Sequence, residues 1–259
     1  MKITVCEFDN DISKLEATWE ALATHCQERE SELILLPEMP FNTWLAGSHN
    51  VDDALWDESV TIHDEWLERL GELGVSIVVG TRPVRVKDVK LNEGFIWTES
   101  QGYRAVHQKV YLPNEPGFWE ASWYSPGPEE FKLVEAGGVK IGFLICTELW
   151  FTQHARNYMK AGMDVLVCPR ATPLATLEKW IVGGRAAAIV SGAYCLSSSL
   201  SGKNSTGQEF AGAGWVIEPW NGDLIGTTSR EYPFMTKEIE IDKARAAKLT
   251  YPRDVIDEF

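Results

Sequence analysis

The sequence predicts a single α/β domain built in layers, and three observations carry that expectation. Strand-like and helix-like segments alternate along most of the 259 residues. Several strand-like runs are apolar at nearly every position, which suits strands covered on both faces. Nothing between them reads as a linker, a low-complexity tract or a repeat. A chain of this length can bury a sizeable core, and 44% hydrophobic with 24% charged residues is a globular composition.

The elements follow in order. "MKITVCEF" reads as a strand, and Ile12, Leu15, Trp19, Leu22 and Cys26 then mark one helical face, with a capping box from Ser13 to Glu16 at its start. "ELILLPE" is a strand buried on both faces. Ile62, Trp66, Leu70 and Leu73 form a second helical stripe that Gly74 ends, and "VSIVVG" is the next strand. Strand, helix, strand and helix recur as "VKIGFLIC", 152–161, "DVLVCP" and 174–191. "AYCLSSS" and "GWVIEP" are further strands, and Asn221-Gly222 is a two-residue hairpin signal leading into "LIGTT". "FMTKEIEI" closes the body at about residue 242, and 243–259 reads as a polar C-terminal tail without an element.

Composition excludes several functions. A net charge of −14 argues against a phosphate-binding surface, so no nucleic-acid partner is expected. No apolar run approaches 18 residues and no signal segment opens the chain, so no membrane partner is expected and the location is read as cytoplasmic. The five cysteines, at 6, 26, 146, 168 and 195, are widely spaced and odd in number, which rules out a disulfide scaffold. The five histidines lack zinc spacing, and "GAGW" at 212–215 is not a phosphate loop, so neither metal nor cofactor is expected.

Chemistry is expected where apolar strands end, because the strand fixes the backbone and the following loop reaches the ligand. Glu38, Cys146 and Arg170 share that position. Cys146 closes "KIGFLIC" as either a small core residue or a nucleophile at a strand-to-helix turn, where helix N–H groups and a nearby cation lower the cost of attack. Glu38, behind a stiffening proline, is a candidate base, and Lys109 in "HQKVYLP" a candidate oxyanion partner. Glu148, two past the cysteine, either binds a leaving amine or caps the helix start. Arg170 could grip a substrate carboxylate bidentately. Trp44, Trp119, Trp123 and Trp150 flank these segments and serve either as packing or as an aromatic wall. Cys168 is the rival nucleophile, but Pro169 removes the N–H an oxyanion hole needs beside it, so it reads as core.

Together and in this order the segments resemble the carbon–nitrogen hydrolase (nitrilase) superfamily. "LILLPEMPF" is similar to its glutamate motif, "HQKVYLPNEPGFWEASWYSPG" to its lysine motif and "GFLICTELWF" to its cysteine motif. Arg156 and "AGAGWVIEPWNGDLIG" also fit, and the resemblance spans roughly residues 2–242 in one domain. It implies an αββα sandwich, paired as αββααββα in a homodimer or higher homo-oligomer, and a Glu38, Lys109, Cys146 triad with Glu120 as a second glutamate. The implied reaction is hydrolysis of a small amide through a cysteinyl thioester, with Lys109 and the backbone N–H near Thr147 holding the oxyanion. "NEPGFWEASWYSPG" is closest to the carbamoyl-amine amidases. Thr152-Gln153, Val190-Ser191 and Gln108 depart from common family patterns and bear on the subfamily. Because nitrile-cleaving members also place Glu two past the cysteine, as Glu148 does, a nitrilase is one alternative, and a silent binding protein on the same fold is another.

Overall fold

The computed structural model describes residues 1–256. Its strands are β1 (Lys2–Asp9), β2 (Leu33–Leu35), β3 (Ile77–Val86), β4 (Val89–Thr98), β5 (Gly102–Gln108), β6 (Val134–Ala136), β7 (Val139–Phe143), β8 (Val165–Arg170), β9 (Tyr194–Ser201), β10 (Trp215–Ile217), β11 (Leu224–Thr227) and β12 (Phe234–Glu238). Its helices are α1 (Leu15–Arg29), α2 (Asp53–Leu67), the single turn α3 (Glu120–Trp123), α4 (Thr152–Lys160), α5 (Leu177–Ser191) and α6 (Ile241–Ala247).

The strands form two leaves, ordered β5-β4-β3-β2-β1-β12 and β6-β7-β8-β9-β10-β11. β1 belongs to both: Ile3–Val5 run parallel to Leu33–Leu35, and Glu7–Asp9 parallel to Ser199–Ser201. Side-chain alternation sorts the core into layers. Ile3, Val5, Leu33, Leu35, Ile77 and Val79 join the cluster shared with β7, β8 and β9. Their neighbours Cys6, Phe8, Ile34, Leu36 and Val78 instead pack under Leu15, Trp19 and Leu22 of α1. Ala155 and Tyr158 of α4 and Ala187 and Ala188 of α5 cover the second leaf. The result is the αββα sandwich. β2, β5 and β7 all end towards the same rim, which is what gathers their following loops.

Several local expectations need correction. No capping box joins Ser13 to Glu16. Asp11 instead caps a 3₁₀ turn over Ile12–Lys14 by accepting from the Ser13 N–H, and Glu16 pairs with Arg69. The second helix begins at Asp53, because Asp52 accepts from the Ala54 and Leu55 N–H groups, and Leu70–Leu73 is a separate 3₁₀ turn before Gly74. β4 and β5 have no counterpart in the sequence reading, since the buried Asn92 and Glu93 interrupt the apolar run of β4. The β10–β11 connection is not a two-residue turn: Glu218 gathers the N–H groups of Trp220, Asn221 and Asp223 into a wider loop. The segment read as a tail opens inside α6, whose Ala244 and Ala247 are buried. Beyond it Arg253 is buried too, donating to the carbonyls of Ala247 and Ile189. The last three tail residues lie outside the described residues.

Candidate active site

Glu38 follows β2, Lys109 follows β5, Cys146 follows β7, and Glu120 opens α3. The three charged side chains are fully buried, and Cys146 is 2% exposed. Lys109 Nζ donates to Glu38 Oε1 at 2.8 Å and to Glu120 Oε2 at 2.5 Å. Tyr124 also donates to Glu120 Oε2, and Asn92 Nδ2 donates to Glu38 Oε1 at 2.8 Å. Buried charges persist only when paired, and this cluster pairs one cation with two carboxylates.

The surplus of negative charge shapes the protonation states. Burial works against the Lys109 ammonium, but Glu120 and Glu38 outweigh it and hold its pKa well above 10.5. Burial raises the Glu120 carboxyl to about 7, with Lys109 opposing the rise and Glu38 adding to it. The Cys146 thiol is pushed up, first by burial and then by the Glu38 charge, against the pull of Lys109. It therefore keeps its proton at neutral pH and needs a base at the moment of attack. Glu38 Oε2 is buried with no hydrogen-bond partner, while Oε1 is held by Lys109 and Asn92.

Cys146 heads a 3₁₀ turn over Cys146–Trp150 and takes φ +48°, the left-handed region that a residue with a Cβ enters at a cost of roughly 1–2 kcal/mol. Such a turn thrusts the side chain out of the strand, and the first N–H groups of a helical turn lack partners inside it. The cysteine opens on a cavity of about 260 Å³ lined also by Glu115, Phe118, Thr147, Trp150 and Trp180. Among the described residues its charged side chains are Glu115 and Lys179.

Not every candidate residue reaches this cavity. Cys146, Thr147 and Trp150 line it, but the fully buried Glu38, Lys109 and Glu120 do not, nor do Arg170, Glu148 and Trp119. Arg170 is fully buried: its guanidinium donates to Ser197 Oγ (2.7 Å), Thr172 Oγ1 (2.6 Å) and the Gly212 and Ala213 carbonyls, and lies 3.9 Å from the Trp215 ring. Four of its five N–H donors are used inside the fold and the guanidinium is buried, so it cannot grip a substrate carboxylate bidentately. Glu148 is fully buried, bonded to backbone N–H groups and His107. Trp119 packs edge-on to His49 at 4.6 Å, and Trp44 and Trp123 are core. Cys168 is fully buried in β8. Asn92, Tyr124, Lys179 and Trp180 were not foreseen. A lone asparagine inside a strand carries no signal of its partner, and α5 lies far along the chain from the motifs it faces. Among the described residues no cluster of His, Cys, Asp and Glu is arranged to hold a metal ion.

The carbon-nitrogen hydrolase family model matches residues 2–248. The 2-oxoglutaramate amidase of Bacillus subtilis is 25% identical over 228 residues, covering 87% of this chain and 85% of that protein. The N-carbamoylputrescine amidase of Arabidopsis thaliana is 33% identical over 66 residues, which is 26% of this chain and 22% of that one. The crystal structure of a carbon-nitrogen hydrolase from Helicobacter pylori superposes with a TM-score of 0.86 at 18% identity, covering 98% of this chain and 94% of that one. With a matching model over nearly its whole length, the sandwich those structures share and amidases among its relatives, the chain belongs to the carbon–nitrogen hydrolase family and is a hydrolase of the amidase type.

Proposed function

We propose that the protein cleaves a small amide or N-carbamoyl amine through a thioester on Cys146. One observation carries this: Glu38 Oε2 is buried and unpartnered, and the Glu38 charge acts on the Cys146 thiol, whose turn opens on the cavity. Oε2 accepts the thiol proton as Sγ bonds to the amide carbon. The resulting oxyanion is held by Lys109 Nζ and the Thr147 N–H, each such donor lowering the barrier by ~3–4 kcal/mol. When the intermediate collapses, the C–N bond breaks and Glu38 returns the proton to the departing nitrogen. Water then gives Glu38 a proton and its oxygen to the thioester carbon. The acid leaves and the thiol is restored. Glu120 keeps Lys109 aligned through its second carboxylate bond.

The substrate class we favour is neutral to cationic. With Arg170 committed elsewhere, the cavity offers no bidentate carboxylate grip, whereas Glu115 and the Trp150–Trp180 pair, 5.1 Å apart, suit an amine-bearing chain. Five unpaired cysteines support a cytoplasmic location. The test is ammonia release across amides, ureido acids, carbamoyl amines and nitriles. Cys146→Ala should abolish turnover of any substrate found while Cys168→Ala keeps it; the reverse result would falsify the assignment.

A further inference from the structure

Glu148 stands two residues past the nucleophile yet lies outside the cavity. We propose that Glu148 is a positioning residue that locks the cysteine turn to the lysine segment, so that Cys146 and Lys109 face the substrate as one fixed pair. This rests on the reading of Cys146 as nucleophile. Glu148 Oε2 accepts from the Ile145 N–H at 2.7 Å, and Oε1 from the Val110 N–H at 2.7 Å. Ile145 immediately precedes the nucleophile, and Val110 immediately follows Lys109. A third partner, His107 Nε2, stands 2.9 and 3.1 Å from the two oxygens and is itself two residues before Lys109.

Capping the helical turn would need only the Ile145 bond. The Val110 bond does nothing for that turn and joins segments 38 residues apart. The partners also explain why the residue is an acid. Two are backbone N–H donors, and His107 Nδ1 is buried without a partner, which assigns the histidine's proton to Nε2. A carboxylate accepts from all three. A glutamine would turn its amide hydrogens towards at least one of them.

The tie matters because neither catalytic residue is placed by relaxed backbone alone. Cys146 sits at φ +48°, a conformation the surroundings must hold. Glu38 and Glu120 hold Lys109 Nζ within its own cluster, and the tie through Glu148 adds a direct link between the 109–110 and 145–146 backbones that carry Nζ and Sγ. A displacement of about 1 Å at a reacting pair costs ~10²-fold in rate.

The experiment uses the full chain and the amide selected by ammonia release. Glu148→Gln, folded by circular dichroism, should keep KM within about 3-fold while kcat falls ~10²-fold. Iodoacetamide labelling of Cys146, located by peptide mass spectrometry, should slow at least ~10-fold in parallel. His107→Phe removes one of the three contacts and should lower kcat by ~10-fold at unchanged KM. Asp164→Asn is the control. That carboxylate is also buried, at the opposite end of β8, and its loss should lower Tm with kcat within about 3-fold. The proposal is overturned if Glu148→Gln leaves kcat and labelling unchanged, if KM rises with kcat intact, or if its kcat loss merely equals that of Asp164→Asn at equal loss of Tm. Should Glu148→Gln fail to fold, the kcat of His107→Phe decides, and an unchanged value overturns the proposal. Turnover by Cys146→Ala would overturn both this inference and the reading beneath it, whereas a dead Cys146→Ala beside an unaffected Glu148→Gln removes this inference alone.

Discussion

Burial lifts the Glu120 carboxyl to about 7, so the folded protein binds a proton there that the unfolded chain releases near its ordinary 4.5. That contribution to stability is complete below the unfolded value and is lost as pH rises through about 7. Lys109, held well above 10.5, keeps its own contribution until alkaline pH, so it adds no slope near neutrality. Thermal melts from pH 5 to 8 should therefore show Tm falling more steeply in the parent than in Glu120→Gln, and parallel profiles would contradict the assignment. A second expectation concerns Arg170. Its donors are spent on neutral oxygens inside the fold, so Arg170→Ala should cost at least about 2 kcal/mol of stability by stranding those acceptors. Substrate charge is better read at the cavity's two ionic side chains. For an amine-bearing amide, Glu115→Ala should raise KM and Lys179→Ala should leave it within about 3-fold. The opposite pattern would mean that the substrate carries a carboxylate.

At the scale of elements, α5 shows why a helix keeps two central glycines that each cost about 1 kcal/mol in propensity. A Cβ on Gly183 would stand 3.0 Å from the Trp150 ring, and one on Gly184 would stand 2.9 Å from Ile217 Cδ1 and 3.2 Å from the Trp215 ring. The pair lets the helix approach both the cavity wall and the second leaf. Gly184→Ala should destabilise by roughly 1–3 kcal/mol through overpacking. Gly183→Ala should instead push the half-exposed Trp150 and alter KM at little cost in Tm, and steady-state kinetics with melts separates the two. The same elements show what was legible beforehand. Apolar runs and heptad-like spacing gave α1, β2, β7, β8 and α5, because each has a continuous buried face. Glu38 and Cys146 could be singled out because each follows an apolar strand inside a recognisable motif, whereas Lys109, after the unread β5, was marked by its motif alone. Glu148 takes the capping role read for it as one alternative, whereas Arg170 and Trp119 do not reach the cavity: closeness in sequence to a motif says nothing of which way a side chain turns. Lys179 and Trp180 reach the cavity only through tertiary packing, which no local pattern records.

For the whole molecule, we propose that two copies meet through the α4–α5 face, where Val182 is 62% exposed and Leu249, Tyr251 and Ile256 lie uncovered further along the chain. Light scattering at micromolar concentration should give at least a dimer, and Val182→Glu should shift it towards monomer; a stable monomer in the parent would refute the proposal. The strand that joins the two leaves has a further consequence, in the order of synthesis. β1 is made before all its partners: β2 follows at Leu33, but β9 and β12 begin only at Tyr194 and Phe234. At 5–20 residues per second the strand waits roughly ten to forty-five seconds for its last partner. Until then the side of Lys2–Cys6 that takes β12 is an open edge beside β2, so this leaf is completed only once β12 has been made, and a chain stopped before β12 should collect in the insoluble fraction.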